Sequence, residues 1–198
     1  TTTPKQTPSY SELFFAIAMQ YFTDSACEWV VLETGCGGRF DYTNIVKKPR
    51  VCVLTPINRD HTDILGNTLA EIAWHKAGII KEGVPVISTE TKAEVREVFA
   101  AEALAKQTRM IYVAPKRQFT TIMPGAHQQW NAAAAAGVGE LLGLPPQAIA
   151  DGIAITRLPA RVEMMQRSPL VILDGAHSQV KMEALVESLN TFRPFGKL

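Results

Sequence analysis

An α/β fold with a mostly parallel sheet and flanking helices is predicted for this chain, followed by the start of a second α/β domain. Three observations predict it. Short apolar runs of strand type alternate with helix-length amphipathic segments from Ser9 to Leu189. Capping-box patterns open several of the helical segments. Polar clusters come directly after the strand-like runs, and in open parallel sheets ligands sit outside the carboxyl ends of the strands.

Ser9 and Glu12 form a capping box that opens a helix through about Phe22. Trp29–Leu32 reads as a strand ending at Glu33 and the glycines Gly35, Gly37 and Gly38. A second strand lies near Val51–Leu54. Thr68 with Glu71 caps a helix carrying Ile72, Ala73, Lys76 and Ala77. Val84–Ile87 reads as a strand, and Thr91 with Glu94 as the capping box of the next helix. Met110–Val113 is strand-like, His127–Leu142 an alanine-rich helix, and Pro145–Ala154 a short further helix. Beyond Leu158-Pro159 come Arg161–Met165, a strand at Leu170–Leu173, and a helix with Met182, Leu185, Val186 and Leu189. The division predicted is a first domain at 1–157, a connector at 158–168 and the beginning of a second domain at 169–198.

The chain has 198 residues, 46% hydrophobic and 20% charged, enough apolar material for a core. A net charge of +1 gives no reason to expect nucleic acid or an anionic membrane as partner. No apolar run approaches a membrane span, and the first eight residues lack the profile of a signal peptide. Three cysteines without a CxxC pair read as reduced thiols of a cytoplasmic protein, and make zinc an unattractive reading.

Five segments carry residue types suited to chemistry. In the first, LETGCGGRFDYTN, Glu33 after a buried run suits a Mg²⁺ ligand, and the glycines admit phosphate groups. A strand, a tight turn and a solvated Glu describe the same residues equally well. The spacing fits neither GxGxxG nor a P-loop. In the second, Asn58–Asp63, His61 suits a metal, with Asp60 or Asp63 orienting it, although loop histidines are common. In the third, Lys76 is either a snorkelling lysine or a partly buried amine able to form a carbamate with CO₂. In the fourth, Gln128 and Asn131 share a helix face, and serve either as caps or as readers of a nucleotide. In the fifth, Arg161 suits phosphate charge and Asp174 a ribose hydroxyl, or they are a surface Arg and a turn-forming Asp-Gly.

Taken in order, LETGCGGRFDYTN, RDHTDILGNTLAEIAWHKAGIIKEGVPVI, HQQWNAAAA, PARVE and ILDGAHS resemble the folylpolyglutamate synthase/dihydrofolate synthase family of the Mur ligase superfamily. The resemblance runs from about Thr7 to Leu189. It implies an ATP-dependent ligase that phosphorylates a carboxylate and passes the acyl phosphate to the amine of L-glutamate. It implies that Glu33 and His61 hold one Mg²⁺, with Lys76 pointing toward them and holding a second ion as a carbamate. Asn131, Arg161 and Asp174 are implied to contact ATP, and His177 to support the nucleotide loop. Ser9, Tyr10, Ser11, Phe40, Asp41 and Tyr42 are implied to line the site of a folate or dihydropteroate. The first domain then corresponds to the central ATP-binding domain of Mur ligases.

The 198 residues contain no GTxGKGS-type P-loop and only the opening of the carboxy-terminal domain. The chain therefore reads as a fragment, expected to be inactive when isolated. Cys36 stands where the family has an aliphatic residue, Tyr42 where it has a small one, Arg59 where it is apolar, and Ser178-Gln179 where it has Asn-Pro. These departures bear on substrate identity. A ligase acting on a cell-wall precursor, and a non-catalytic binding or assembly module, are the alternatives.

Overall fold

The structure is a computed structural model that describes residues 7–192. The outer ends of the first and last predicted domains, residues 1–6 and 193–198, lie outside the described residues.

A three-stranded parallel sheet forms the centre. Its strands are β1 (Cys52–Leu54), β2 (Val86–Ser88) and β3 (Met110–Tyr112), in that spatial order. Cys52 pairs with Val86 and Val86 with Met110, so register is carried straight across. Parallel neighbours need crossovers. Two helices, α2 (Thr62–Leu65) and α3 (Leu69–Ala77), join β1 to β2, and α4 (Ala93–Ala105) joins β2 to β3. β2 is buried throughout, and its alternate side chains face opposite layers. Val86 packs with Ile72, Ala73, Ala77, Val95 and Phe99 from α3 and α4. Ile87 instead meets α5 (Ala126–Leu141), where Gly137 comes so close that a methyl there would lie 3.5 Å from the Ile87 Cδ1. The sheet is thus covered on both faces, which is why its strands read as continuous apolar runs.

α6 (Pro146–Ile155) lies on α5, with Ile149 buried against Gly139. The tail forms an antiparallel hairpin of β4 (Glu163–Arg167) and β5 (Leu170–Leu173), and then α7 (Gln179–Leu189). The stretch read as connector, 158–168, therefore contains a strand, because Glu163–Arg167 finds Leu170–Leu173 as a backbone partner.

Two local readings are corrected. Trp29–Leu32 is not a strand. Its backbone pairs with none of the five described strands, and all four side chains are exposed. A β-branched run becomes a strand only where a ladder is offered. The Thr91–Glu94 capping box also does not form. The N-cap falls one residue later, at Lys92, whose side chain makes no cap bond. Glu90 takes that duty: its Oε1 accepts from the amides of Thr91 at 2.8 Å and Lys92 at 2.9 Å. The Ser9 and Thr68 capping boxes both form, opening α1 (Tyr10–Asp24) and α3. No described residue belongs to a helix long and apolar enough to cross a membrane.

Candidate functional site

The glycine loop docks against the end of α3 through backbone contacts. The amide of Arg39 donates to the His75 carbonyl at 2.7 Å. Gly38 is at φ 150, and a Cβ there would lie 3.0 Å and 3.1 Å from the carbonyl oxygens of His75 and Lys76. A Cβ on Gly78 would collide with the Cα and Cβ of Arg39. Close approach at both positions therefore requires glycine. Gly37 lies between Leu65 of α2 and His75 of α3, so the loop also touches the helix that His61 opens.

Side chains lock this arrangement. Asn44 donates to the carbonyls of Arg39 at 3.0 Å and Gly78 at 3.1 Å. Arg39 pairs with Glu102 at 2.6 Å, and its guanidinium sits 4.1 Å from the Trp74 ring centroid. The Asp41 carboxylate accepts from the Cys36 amide at 2.8 Å and from the amide and hydroxyl of Thr43. Burial pushes the Asp41 carboxyl up, but the bonds from Thr43, Cys36 and Gly35 outweigh it and hold its pKa below the usual Asp value.

The side chains implied for a pterin are divided between α1 and the glycine loop. Ser9 is engaged in its capping box, its Oγ accepting from Glu12 at 3.3 Å and its amide donating to Glu12 at 2.7 Å. Tyr10 and Ser11 are exposed on α1, Tyr10 lying 4.4 Å from Phe14 between ring centroids. Tyr42 meets Phe15 of α1 at 5.5 Å. Phe40 is 78% exposed and leans on Trp74 at 6.0 Å and His75 at 5.8 Å. Tyr42 and Phe40 are thus brought to one loop, which packs on α1 at one point and on α3 at another.

Glu33 is exposed and does not stand at the end of a strand, since Trp29–Leu32 forms none. Lys76 is half-buried. The four ion pairs among the described residues involve neither of them. His61 begins α2 in the left-handed conformation, at φ 53, with its Nε2 4.0 Å from Asp60. No three His, Cys, Asp or Glu side chains among the described residues gather as a metal cage. A hard ion such as Mg²⁺ keeps several waters and takes only one or two carboxylates. The exposed Glu33 carboxylate and half-exposed His61 imidazole suit such a hydrated ion.

The His61 loop is anchored from below by the buried Glu90 and the partly exposed Lys92. Glu90 is 2% exposed, and its Oε2 accepts from the Ile57 amide at 2.6 Å. Lys92 donates to the Ile57 carbonyl at 2.8 Å and to Asn58 at 3.3 Å. Both backbone groups of Ile57 are thereby satisfied, immediately before the Asn58–Asp63 segment.

The same segment meets the tail. Lys181 of α7 reaches Asp60 at 3.4 Å and the Nε2 of His177 at 3.0 Å. Burial pushes the Asp60 carboxyl up, yet Lys181, with His61 behind it, holds its pKa below the usual value. Asp174 accepts from the amides of Val162 at 2.8 Å and Ala176 at 2.7 Å, and Gly175 donates to the Ala160 carbonyl at 2.9 Å. Arg161 is presented between Ala160 at φ 54 and Val162 at φ 48. Left-handed backbone at a β-branched residue is strained by about 1–3 kcal/mol and persists only where its surroundings enforce it. Asn131 is exposed on α5 and donates to the buried Gln128 at 3.1 Å.

Sequence reasoning missed Arg39, Trp74, Glu90, Lys92 and Lys181. A signal existed for Lys181, which is four residues after His177 on a helical segment. For Glu90 none existed, because a glutamate reads as exposed until its pocket is seen.

No family model matches the sequence. A curated relative, the dihydrofolate synthase/folylpolyglutamate synthase of Bacillus subtilis, is 34% identical over 213 residues, covering 92% of this chain and 49% of its own length. The Thermotoga maritima folylpolyglutamate synthase crystal structure is similar at TM-score 0.80 and 33% identity, over 93% of this chain and 48% of that one. An FPGS–AMPPCP–folate complex is similar at TM-score 0.84 and 29% identity, over 95% of this chain and 53% of that one. The chain spans less than half the length of the curated relatives it matches first. With the Mur ligase fold and these relatives covering about nine tenths of its residues, the chain belongs to the folylpolyglutamate synthase/dihydrofolate synthase family.

Proposed function

We propose that the chain is part of an ATP-dependent ligase that joins L-glutamate to a folate, or to dihydropteroate, through an acyl phosphate. One observation carries this reading. The glycine loop, the His61 loop and the Asp174–Ser178 loop are linked in a continuous series of contacts, from Gly37 on Leu65 to Asp60 on Lys181 and His177. The similarity to a complex containing AMPPCP and folate supports it.

In this reading ATP phosphorylates the substrate carboxylate, the glutamate amine attacks the acyl carbonyl, and the tetrahedral intermediate collapses to amide and phosphate. Glu33 and His61 hold one Mg²⁺, and Lys76 as its carbamate offers oxygens to a second. Mg²⁺ supplies charge neutralisation at the phosphate oxygens. Asn131, Arg161 and Asp174 take ATP, with His177 supporting the nucleotide loop. Ser9, Tyr10, Ser11, Phe40, Asp41 and Tyr42 line the pterin site. Residues 1–157 correspond to the central domain, 158–168 to the connector and 169–198 to the opening of the carboxy-terminal domain. The free cysteines accord with a cytoplasmic site of action.

Calorimetry on the 198-residue chain tests the reading. AMPPCP binding is expected to strengthen with Mg²⁺, and Glu33→Gln and His61→Ala are each expected to remove that enhancement. Binding that is equal with and without Mg²⁺ sinks the ligase reading and favours a binding module. Alone, the chain is expected to give no glutamate addition. It contains no P-loop, and losing even one preorganised donor at such a site costs roughly 10²–10³ in rate.

A further inference from the structure

We propose that Lys181 contacts the phosphate chain of the bound nucleotide, an inference that rests on the nucleotide reading above. The placement is the argument. In that reading Asp174 takes the ribose and His61 the metal ion, so the phosphates run between them. Lys181 Nζ stands in that interval, 3.0 Å from His177 on the Asp174 side and 3.4 Å from Asp60 on the His61 side. Arg161 flanks the same loop from the other direction: a methyl on Gly175 would lie 2.6 Å from its Nη1. Two cations therefore bracket the Asp174–Ser178 loop.

The partners of Lys181 fit a group that exchanges. An ammonium only donates, so His177 Nε2 accepts, and the ring proton sits on Nδ1, 2.8 Å from the Gly175 carbonyl. The Asp60 pair is open to solvent, its side chains 46% and 39% exposed. Exposed pairs hold weakly, so a phosphate oxygen bearing more charge displaces Asp60 readily. Asp60 parks the lysine between the two loops, and the nucleotide takes it over.

The test is an affinity series on the 198-residue chain with adenosine, ADP and AMPPCP in Mg²⁺. Lys181→Met is expected to weaken ADP and AMPPCP by about tenfold, about 1.4 kcal/mol, and to leave adenosine unchanged. Lys181→Arg is expected to retain most of the affinity. Asp60→Asn, which frees the lysine, is expected to tighten ADP. Equal weakening of adenosine and ADP by Lys181→Met, with an unchanged melting temperature, reduces the residue to a structural one and overturns the proposal. So does a Lys181→Met chain that binds ADP like the parent while Arg161→Ala and Asp174→Ala do not. A parent chain that binds neither adenosine nor ADP overturns the nucleotide reading itself, and the proposal with it.

Discussion

Residues 35–44 lie against α3 through backbone atoms, whereas residues 160–177 are knitted by side-chain carboxylates and reach the His61 loop through Lys181. In the first region Gly38, Gly78 and the Arg39 amide bring main chain onto main chain, and Asn44 and Arg39 close the contact. In the second, Asp174 and Gly175 hold a corner whose residues 160 and 162 are left-handed, and among the described residues Lys181 alone makes an ion pair from this region to the His61 loop. Main-chain docking tolerates no added atom. A solvated ion pair tolerates rearrangement. The glycine loop is accordingly the more fixed of the two contacts, and the response of the tail contact to a nucleotide belongs to the proposal for Lys181.

Substitutions that insert atoms or orphan buried groups on the fixed side give the largest effects. Gly78→Ala, driven into Arg39, is expected to cost about 3 kcal/mol or more in a denaturant titration. A loss under about 1 kcal/mol means the loop can lift from α3 and that the two regions do not differ. Glu90→Ala leaves the amides of Ile57, Thr91 and Lys92 without their acceptor and is expected to cost about 2–3 kcal/mol. Because Ile57 anchors the His61 loop, the same variant sharpens the comparison if Mg²⁺-dependent nucleotide binding falls at temperatures well below its melting point.

Substitutions at caps and solvated carboxylates give smaller effects. Thr68→Ala removes a cap from α3 and is expected to cost about 1 kcal/mol. Asp41 gives a pH signature. Its folded pKa lies below the unfolded value of about 3.9, so its stabilisation is full above that value and is lost as pH falls through the folded pKa. Acid titration of stability is therefore expected to flatten in Asp41→Asn below about pH 4, and an unchanged acid limb would show that the Asp41 bonds do not form. The smallest effect belongs to the tail. Asp60→Asn is expected to shift stability by no more than about 0.5 kcal/mol, and a shift several times larger would show the tail contact to be as rigid as the glycine loop.

Much of the layer structure is legible in the sequence. The 3.6-residue spacing of Ile72, Ala73 and Ala77, and of Val95 and Phe99, marks faces that pack only one way on a sheet. The Ser9 and Thr68 caps are local, so three residues suffice to specify each. The motif segments were legible for the same reason, since their residue types and spacings lie within a few positions of one another. Where the signal needed a partner distant in sequence, reading failed. Trp29–Leu32 has the composition of a strand, yet a strand is a relation between two segments. With no second segment paired to it, the run stays exposed and so does Glu33 at its end.

By itself the sequence determined the alternating α/β order, two of the three proposed caps and the segments that carry candidate chemistry, because these depend on neighbours a few residues apart. Only the tertiary structure decided that Glu90 is buried under Ile57, that Gly38 and Gly78 are the points where the loop meets α3, and that Lys181 spans from His177 to Asp60, 121 residues away. A buried carboxylate, a close backbone approach and an ion pair across the fold are each set by geometry between remote segments, and local composition carries no record of that geometry.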